Sequence, residues 1–312
     1  MGKSTSRLQR VGWLLQALLG ILALYWIVAI NHVDIAQIVR HFRTIDWGVL
    51  ALGVGCFVVV MTLTTWRYYI FMPGRMSFRY LLGVTFLQNA LLTFVPWRIG
   101  EVSYPWLLRR DYGIPLATSV VVIVSVRLVD LLVVVVVALA GSSLLQLDAG
   151  WLAAGLGAAA MLGLIIILVW QHGRRRFASV SKPWLEALGS LRKPQRLIGF
   201  LASSIAVFLV ATFQSKLLLQ AFALELSVAN VAVLNALTLL IAVLPVHPPG
   251  GWGTIDSMQV LVLSRFGYDP ALALPMILAA HSIYALVIFG GGVGGWLLRK
   301  KHHIAPATGT SE

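Results

Sequence analysis

The sequence predicts an all-α integral membrane protein with about six full spans and two broken, re-entrant helical hairpins arranged as inverted-topology repeats. Three observations lead there. Of the 312 residues, 59% are hydrophobic and 11% charged, which is more apolar surface than one water-soluble core can bury, so a bilayer has to act as solvent. Several apolar runs reach the roughly 20 residues that cross about 30 Å of hydrocarbon as a helix, where backbone polar groups are satisfied internally. Two further apolar runs are interrupted by Pro and Gly at places that resemble each other.

The first run, Gly12 to Ile30, follows Lys3, Arg7 and Arg10 as in a signal peptide, yet it is long and has no A-x-A-like cleavage site before Asn31, so a retained helix is expected. The opening MGKSTS fits the loose myristoylation pattern, from which a chain already anchored by helices gains little. The other continuous runs are Trp47 to Phe71, Pro115 to Gly141, Trp151 to Trp170, Leu197 to roughly Leu224, and Ala271 to Leu298. The first broken stretch goes from Tyr80 through FVPWRIGEVSYPW to Leu108, and the second from Val228 through VLPVHPPGGWGTID to Leu263. Pro and Gly in mid-stretch would cost a straight spanning helix its backbone bonds and bend it. Trp13, Trp26, Trp47, Trp151 and Trp296 fall near span ends as interfacial anchors, and Arg67, Lys216 and Arg299 are expected to snorkel to the interface. Cys56, the only cysteine, lies in an apolar run as a packing residue and excludes an intramolecular disulfide.

The net charge of +13 would suggest nucleic acid in a soluble protein, but Lys and Arg cluster beside apolar segments, as in Arg174-Arg175-Arg176. An anionic membrane surface is the expected partner, and nucleic acid is not. The same charges set the topology. If both broken stretches turn back, one side receives the N-terminus, the PGRMSFR loop, Arg109-Arg110, the loop from Gln171 to Arg196 and the tail from Arg299, and this side is the cytoplasm by the positive-inside rule. The other side receives SSLLQLDAG and LELSVAN, with Asp148, Glu225 and no Lys or Arg. If both crossed, the RRR loop would move outside, against the rule. One minor violation remains in the first outer loop, where Arg40 and Arg43 are partly offset by Asp34 and Asp46.

The two broken stretches match in sequence. NALLTFVP followed by RIGE has its counterpart in NALTLLIAVLP followed by GWGTID, and RRDYGIPLA aligns with SRFGYDPALA. Arg127 stands as far beyond Gly113 as His281 beyond Gly267. A single domain over residues 1–300 is expected, with repeat one near 47–141, repeat two near 197–298, and a cytoplasmic tail at 301–312. Hairpins entering from opposite sides are the architecture of alternating-access carriers, whose broken helices offer free backbone groups to a ligand near the midplane. The alternative, that Pro and Gly merely kink packed helices, stays open.

Ionisable residues in hydrocarbon cost several kcal/mol unless they pair or meet water, and so mark candidate sites. The set here is Arg98, Glu101, Arg127, Asp130, His247, Asp256 and His281, together with the glycines Gly250, Gly251 and Gly253. Arg127 and Asp130, three apart on one helical face, could instead neutralise each other, and Arg98 with Glu101 could be a local pair at the hairpin tip. The mixed signs suit a lipid head group, in which Arg grips phosphate, Glu101 and Asp256 meet amine or hydroxyl groups, and the glycines admit a close approach. No G-x-x-x-x-G-K-[ST], H-E-x-x-H or CxxC pattern occurs, and no cofactor, metal or direct use of ATP is expected.

These residues also resemble the membrane region of lysylphosphatidylglycerol synthases and related flippase-like proteins, over nearly the whole chain. In that family the first break reads like P-G-R-x-G-E, the next span carries an Arg and an Asp three apart, and the second break reads like P-G-G-x-G followed by an acid. PWRIGE at Pro96 to Glu101, Arg127 with Asp130, and PGGWG at Pro249 to Gly253 with Asp256 stand at those places. Trp97 replaces the usual Gly, Val126 the acid that commonly precedes the Arg, and Asp256 the more usual Glu, while VHPPGG is longer than the usual pattern by one residue. The resemblance implies movement of a polar-headed lipid between leaflets of a bacterial cytoplasmic (inner) membrane. The aminoacyl-transferring domain is expected to be absent, so synthesis of the lipid would fall to a separate biosynthetic enzyme. Two other classes remain: an intramembrane transferase with Asp130, His247 or His281 as base, and a scaffold that docks a partner enzyme through the loop from Arg174 to Arg196.

Overall fold

The computed structural model describes residue 25 and residues 41–71, 76–95, 99–141, 194–242 and 248–301. Among the described residues there are eight α-helices, one 3₁₀ turn and no strand. They are α1 Trp47–Phe71, α2 Phe78–Phe94, α3 Ile99–Tyr112, α4 Leu116–Gly141, α5 Pro194–Ala221, α6 Val228–Ala242, the turn Pro249–Gly251, α7 Thr254–Arg265 and α8 Pro270–Lys301. Four of these, α1, α4, α5 and α8, are long and apolar enough to cross a membrane, and they fall on four of the six expected spans. The runs Gly12 to Ile30 and Trp151 to Trp170 lie outside the described residues.

Local chemistry places the helix starts. Asp46 accepts from the backbone N–H groups of Gly48 and Val49 at 2.9 and 3.0 Å, Ser77 from Tyr80 at 3.2 Å, Ser227 from Asn230 at 3.1 Å and Asp269 from Ala271 at 2.9 Å. Each satisfies donors that have no partner within the first turn. Arg109 and Arg110 occupy the last turn of α3, where the helix dipole favours cations.

The bundle has two ends, and the contacts say which helix points where. The Asp46 N–H donates to the Ala221 carbonyl at 3.1 Å while the Phe71 and Phe200 rings meet at 5.2 Å, so α1 and α5 run antiparallel. Arg299 of α8 donates to Asp111 at 3.1 Å, which brings the end of α8 to the end of α3. Gly141, the last residue of α4, lies against Val233 near the start of α6. One end therefore gathers Phe71, Ser77, Asp111, Phe200 and Arg299, and the opposite end gathers Asp46, Gly141 and Ala221.

Both broken stretches double back. At the open end of the first, the Tyr80 hydroxyl donates to Asp111 at 2.6 Å, and at its tip Gly100 presses against Leu91 and Leu92 so closely that a Cβ would stand 2.2 Å from the Leu92 nitrogen. In the second, the Tyr268 hydroxyl donates to the Glu225 carbonyl, and Val231 shares a buried cluster with Leu263. Helices of 17, 14, 15 and 12 residues rise roughly 25, 21, 22 and 18 Å, each short of the hydrocarbon thickness. The first hairpin opens at the Arg299 end and the second at the Asp46 end.

Helix α8 is the common support. A Cβ on Gly295 would come within 2.5 Å of the Gly83 carbonyl, and one on Gly292 within 2.4 Å of the Ala90 Cβ, so α2 and α8 touch nearly backbone to backbone. Phe94, the last residue of α2, meets Phe289 at 6.1 Å, and the 3₁₀ turn of the second hairpin also packs on α2. Apolar side chains face outward from the long helices, with Leu132, Ile198, Leu209 and Leu286 each more than half exposed, which suits a hydrocarbon surround.

Candidate functional site

Among the described residues, two groups of ionisable side chains hold the expected site residues. In the first, the Arg67 guanidinium of α1 is bonded to the Asp130 carboxylate of α4 and lies 3.4 Å from the Ser204 hydroxyl of α5. Its side chain is only 3% exposed. Arg67 does not snorkel as expected, because a buried carboxylate partner is available. Asp130 pairs with Arg67 across the helices, so the alternative by which Asp130 and Arg127 neutralise each other along one helix does not hold.

Arg127 turns instead toward Glu101 at the start of α3, at 3.9 Å, and both side chains keep a third or more of their surface exposed. Buried Tyr68 lies within electrostatic reach of Arg127, Arg67, Asp130 and Glu101 and packs on Tyr104 with ring centroids 4.8 Å apart. Two cations and two anions from α1, α3 and α4 therefore form one balanced cluster. The Glu101–Arg127 side of it is open, and the Arg67–Asp130 side is closed.

The second group sits at the tip of the second hairpin. Gly250, Gly251 and Gly253 have φ of 76°, 73° and 82°, the left-handed region that glycine reaches without strain, and this folds the PGGWG segment into a tight turn. Asp256, in the first turn of α7 and fully buried, accepts the Gly253 N–H at 2.8 Å with one carboxylate oxygen. Its other oxygen lies 2.7 Å from Nδ1 of His281 on α8, whose Nε2 lies 2.9 Å from the Gly250 carbonyl oxygen. Trp252 stacks over the imidazole at 4.6 Å and 14°. Asp256, His281, Gly250 and Gly253 thus come together as one network, separate in its contacts from Glu101, Arg127 and Asp130.

Arg98 and His247 lie outside the described residues, as do Pro96 and Trp97. Arg299 is a further correction. Rather than snorkelling, it is bonded to Asp111, which also accepts from Tyr80 and from Arg110 Nε at 2.9 Å, and so it fastens α8 to the open end of the first hairpin. Lys216 donates to the Leu226 carbonyl at 3.0 Å, beyond the end of α5. Trp47 and Trp296 are 65% and 40% exposed near the ends of α1 and α8.

Sequence reasoning missed Arg67, Tyr68 and Asp111 as members of polar networks. Arg67 is four residues from the end of an apolar run, where snorkelling is the simpler reading, and its partner is 63 residues away. The one available signal was that a cation and an anion, each embedded in a different apolar run, are both too costly to leave unpaired.

No curated protein and no solved structure matches the chain. The family described as the lysylphosphatidylglycerol synthase TM region matches residues 13–292, which takes in every element described above except the final turns of α8. With its hairpin tips, its charged cluster and most of its 312 residues inside that match, the chain belongs to the family of the lysylphosphatidylglycerol synthase TM region.

Proposed function

We propose that the protein translocates a polar-headed phospholipid or glycolipid between membrane leaflets by alternating access. The observation that carries this reading is the meeting of two oppositely opening hairpins along α8. The tip of the first reaches Phe289 through Phe94, and the tip of the second reaches His281 through Gly250, on either side of the middle of α8 and roughly 12 Å apart by helical rise. Broken helices that end near mid-depth from both sides are what a carrier needs to offer one site to each leaflet in turn.

An inverted repeat accounts for the matched parts. Each second limb, α3 or α7, carries an acid in its first turn, Glu101 or Asp256, and ends on a left-handed glycine, Gly113 or Gly267. Each is followed by a long helix whose twelfth residue, Arg127 or His281, meets that acid. Arg79, Arg109, Arg110, Arg196 and Arg299 gather at one end of the bundle, which supports a cytoplasmic setting for that end in a bacterial inner membrane.

The head group would lie against the open side of the charged cluster. Arg127 and Arg98 would hold phosphate and Glu101 an amine or hydroxyl, a pairing of fork and oxyanion that Lys could not reproduce. Of the bases named for the transferase reading, Asp130 is tied to Arg67, His281 is bonded to Asp256 and the Gly250 carbonyl, and His247 lies outside the described residues. Reconstitution in liposomes with fluorescent lipids and an impermeant quencher tests the proposal. Arg98→Ala, Glu101→Ala and Arg127→Ala should each slow translocation about tenfold, as loss of one charge-assisted hydrogen bond implies. Scrambling equal to wild type by all three would sink the site.

A further inference from the structure

His281 has a partner on each ring nitrogen, and both partners are acceptors. The Gly250 carbonyl can only accept, so Nε2 carries a hydrogen. The contact between Nδ1 and Oδ1 of Asp256, at 2.7 Å, closes when one proton lies between the two atoms, whichever of them holds it. With that proton, both bonds form together. Without it a neutral imidazole has one N–H for two acceptors, and a lone pair must then face either the carboxylate or the carbonyl at under 3 Å. Asp256 cannot swing aside to relieve this, because its other oxygen holds the Gly253 N–H and its position fixes the start of α7. The part able to give way is the glycine turn, whose Gly250 carbonyl is bound to α8 through this one ring.

We propose that His281 and Asp256 form a proton-binding site whose occupancy latches the tip of the second hairpin onto α8. Taking up one proton from the medium closes both bonds, and releasing it frees the Gly250 carbonyl and lets the turn lift from α8. The site is nearly dry, with the two side chains 11% and 0% exposed and Trp252 covering the ring, so the two states are separated by a discrete bond rather than by gradual solvation. At the first hairpin Arg127 stands where His281 stands and cannot lose its proton, so the ring that carries this latch has no counterpart among the described residues there.

The surroundings leave the pair to itself. Among the described residues, Asp256 is the charged side chain that acts on His281. The other charged residue of α7, Arg265, is exposed at its far end, and the turn itself has no titratable side chain. On α2, which packs on the turn, Arg79 and Tyr80 lie at the opposite end, and Tyr80 is engaged with Asp111. Tyr284 follows one turn along α8 and Arg299 is tied to Asp111. Lys216 of α5 is held by Leu226, and Arg67 of α1 by Asp130. α6 carries no titratable residue, and His247 lies outside the described residues.

The test is hydrogen–deuterium exchange of residues 248–256 in nanodiscs of phosphatidylglycerol and phosphatidylethanolamine, at a series of pH values and corrected for intrinsic exchange. In the wild type, protection of the turn should fall about tenfold as pH rises and the pair loses its proton, the ratio expected for one charge-assisted hydrogen bond. His281→Gln, which cannot gain or lose a proton, should give protection that does not vary with pH. A wild-type turn whose corrected exchange is constant across the series overturns the proposal without any variant, and so does a His281→Gln protein that keeps the wild-type dependence. The readout involves no lipid movement. Failure of translocation in liposomes would leave the latch standing, and a pH-blind turn would leave the translocation reading standing.

Discussion

Replacing Asp130 by Ala should destabilise the protein by stranding a buried cation. The change leaves the Arg67 guanidinium, 3% exposed, with only the Ser204 hydroxyl at 3.4 Å and the Thr64 hydroxyl at 3.5 Å, both at the long limit for a hydrogen bond. Stranding one partner of a buried ion pair costs about 3–5 kcal/mol. Asp130 is itself 26% exposed, so part of the attraction is already screened and the lower figure, about 3 kcal/mol, is the expected loss. Arg67→Met with Asp130→Leu removes both charges and both desolvation costs, and should return to within about 1 kcal/mol of wild type. Sodium dodecyl sulfate titration in mixed micelles, followed by circular dichroism, measures wild type, Asp130→Ala and the double variant side by side. A single Asp130→Ala change costing under about 0.5 kcal/mol, or a double variant no more stable than Asp130→Ala, would refute the assignment of these two residues as a closed pair.

Other expectations follow from the packing and the topology. Gly295→Ala should cost about 2 kcal/mol or more in the same titration, because the added carbon meets the Gly83 carbonyl at 2.5 Å, whereas Gly290→Ala and Gly294→Ala, with nothing within 4 Å, should be neutral or slightly stabilising. Equal effects at all three positions would show that α2 and α8 do not touch there. In a Cys56→Ala background, an impermeant maleimide should label Arg109→Cys and Arg265→Cys, both exposed, from opposite faces of oriented vesicles; labelling from one face would end the inverted arrangement. Asp111→Asn removes a carboxylate shared by Arg299, Arg110 and Tyr80, and should loosen the open end of the first hairpin, read as faster backbone exchange at residues 78–81 and 107–112 with little change in the second hairpin.

Much of the fold was legible because hydrocarbon imposes a length. The run Trp47 to Phe71 returned as α1 residue for residue, and the three other matched runs differ from α4, α5 and α8 by a few residues at their ends, where Pro115, Pro194 and Asp269 decide the boundary. The doubling back of both broken stretches was legible from charge, since only that choice kept Arg109 and Arg110 on the basic side. Pairing was not legible in the same way. Asp130 is nearer in sequence to Arg127 than to Arg67, and no local rule says that α1 will lie closer to the carboxylate than the next turn of α4 does. Arg299 misled for a similar reason: the acid that draws it inward belongs to a hairpin 188 residues earlier. Gly250, Gly251, Gly253, Asp256 and His281 were all singled out from the sequence and the structure brings them to the second tip, but their bonding to one another could come only from the fold.

The glycine contact between α2 and α8 decides which parts of the molecule can travel separately. Side chains that interdigitate can change rotamer and let two helices slide, but carbonyls and α-carbons pressed together have no alternative seating nearby. The first hairpin and α8 therefore behave as a single piece, bolted at the Gly83–Gly295 crossing and again at the Asp111–Arg299 bond. A shape change of any size has to come from the second hairpin, or from the α1 and α5 pair turning about that piece. If the protein translocates lipid as proposed, freezing α2 to α8 with an engineered crosslink should accordingly leave translocation intact, and freezing α7 to α8 should stop it.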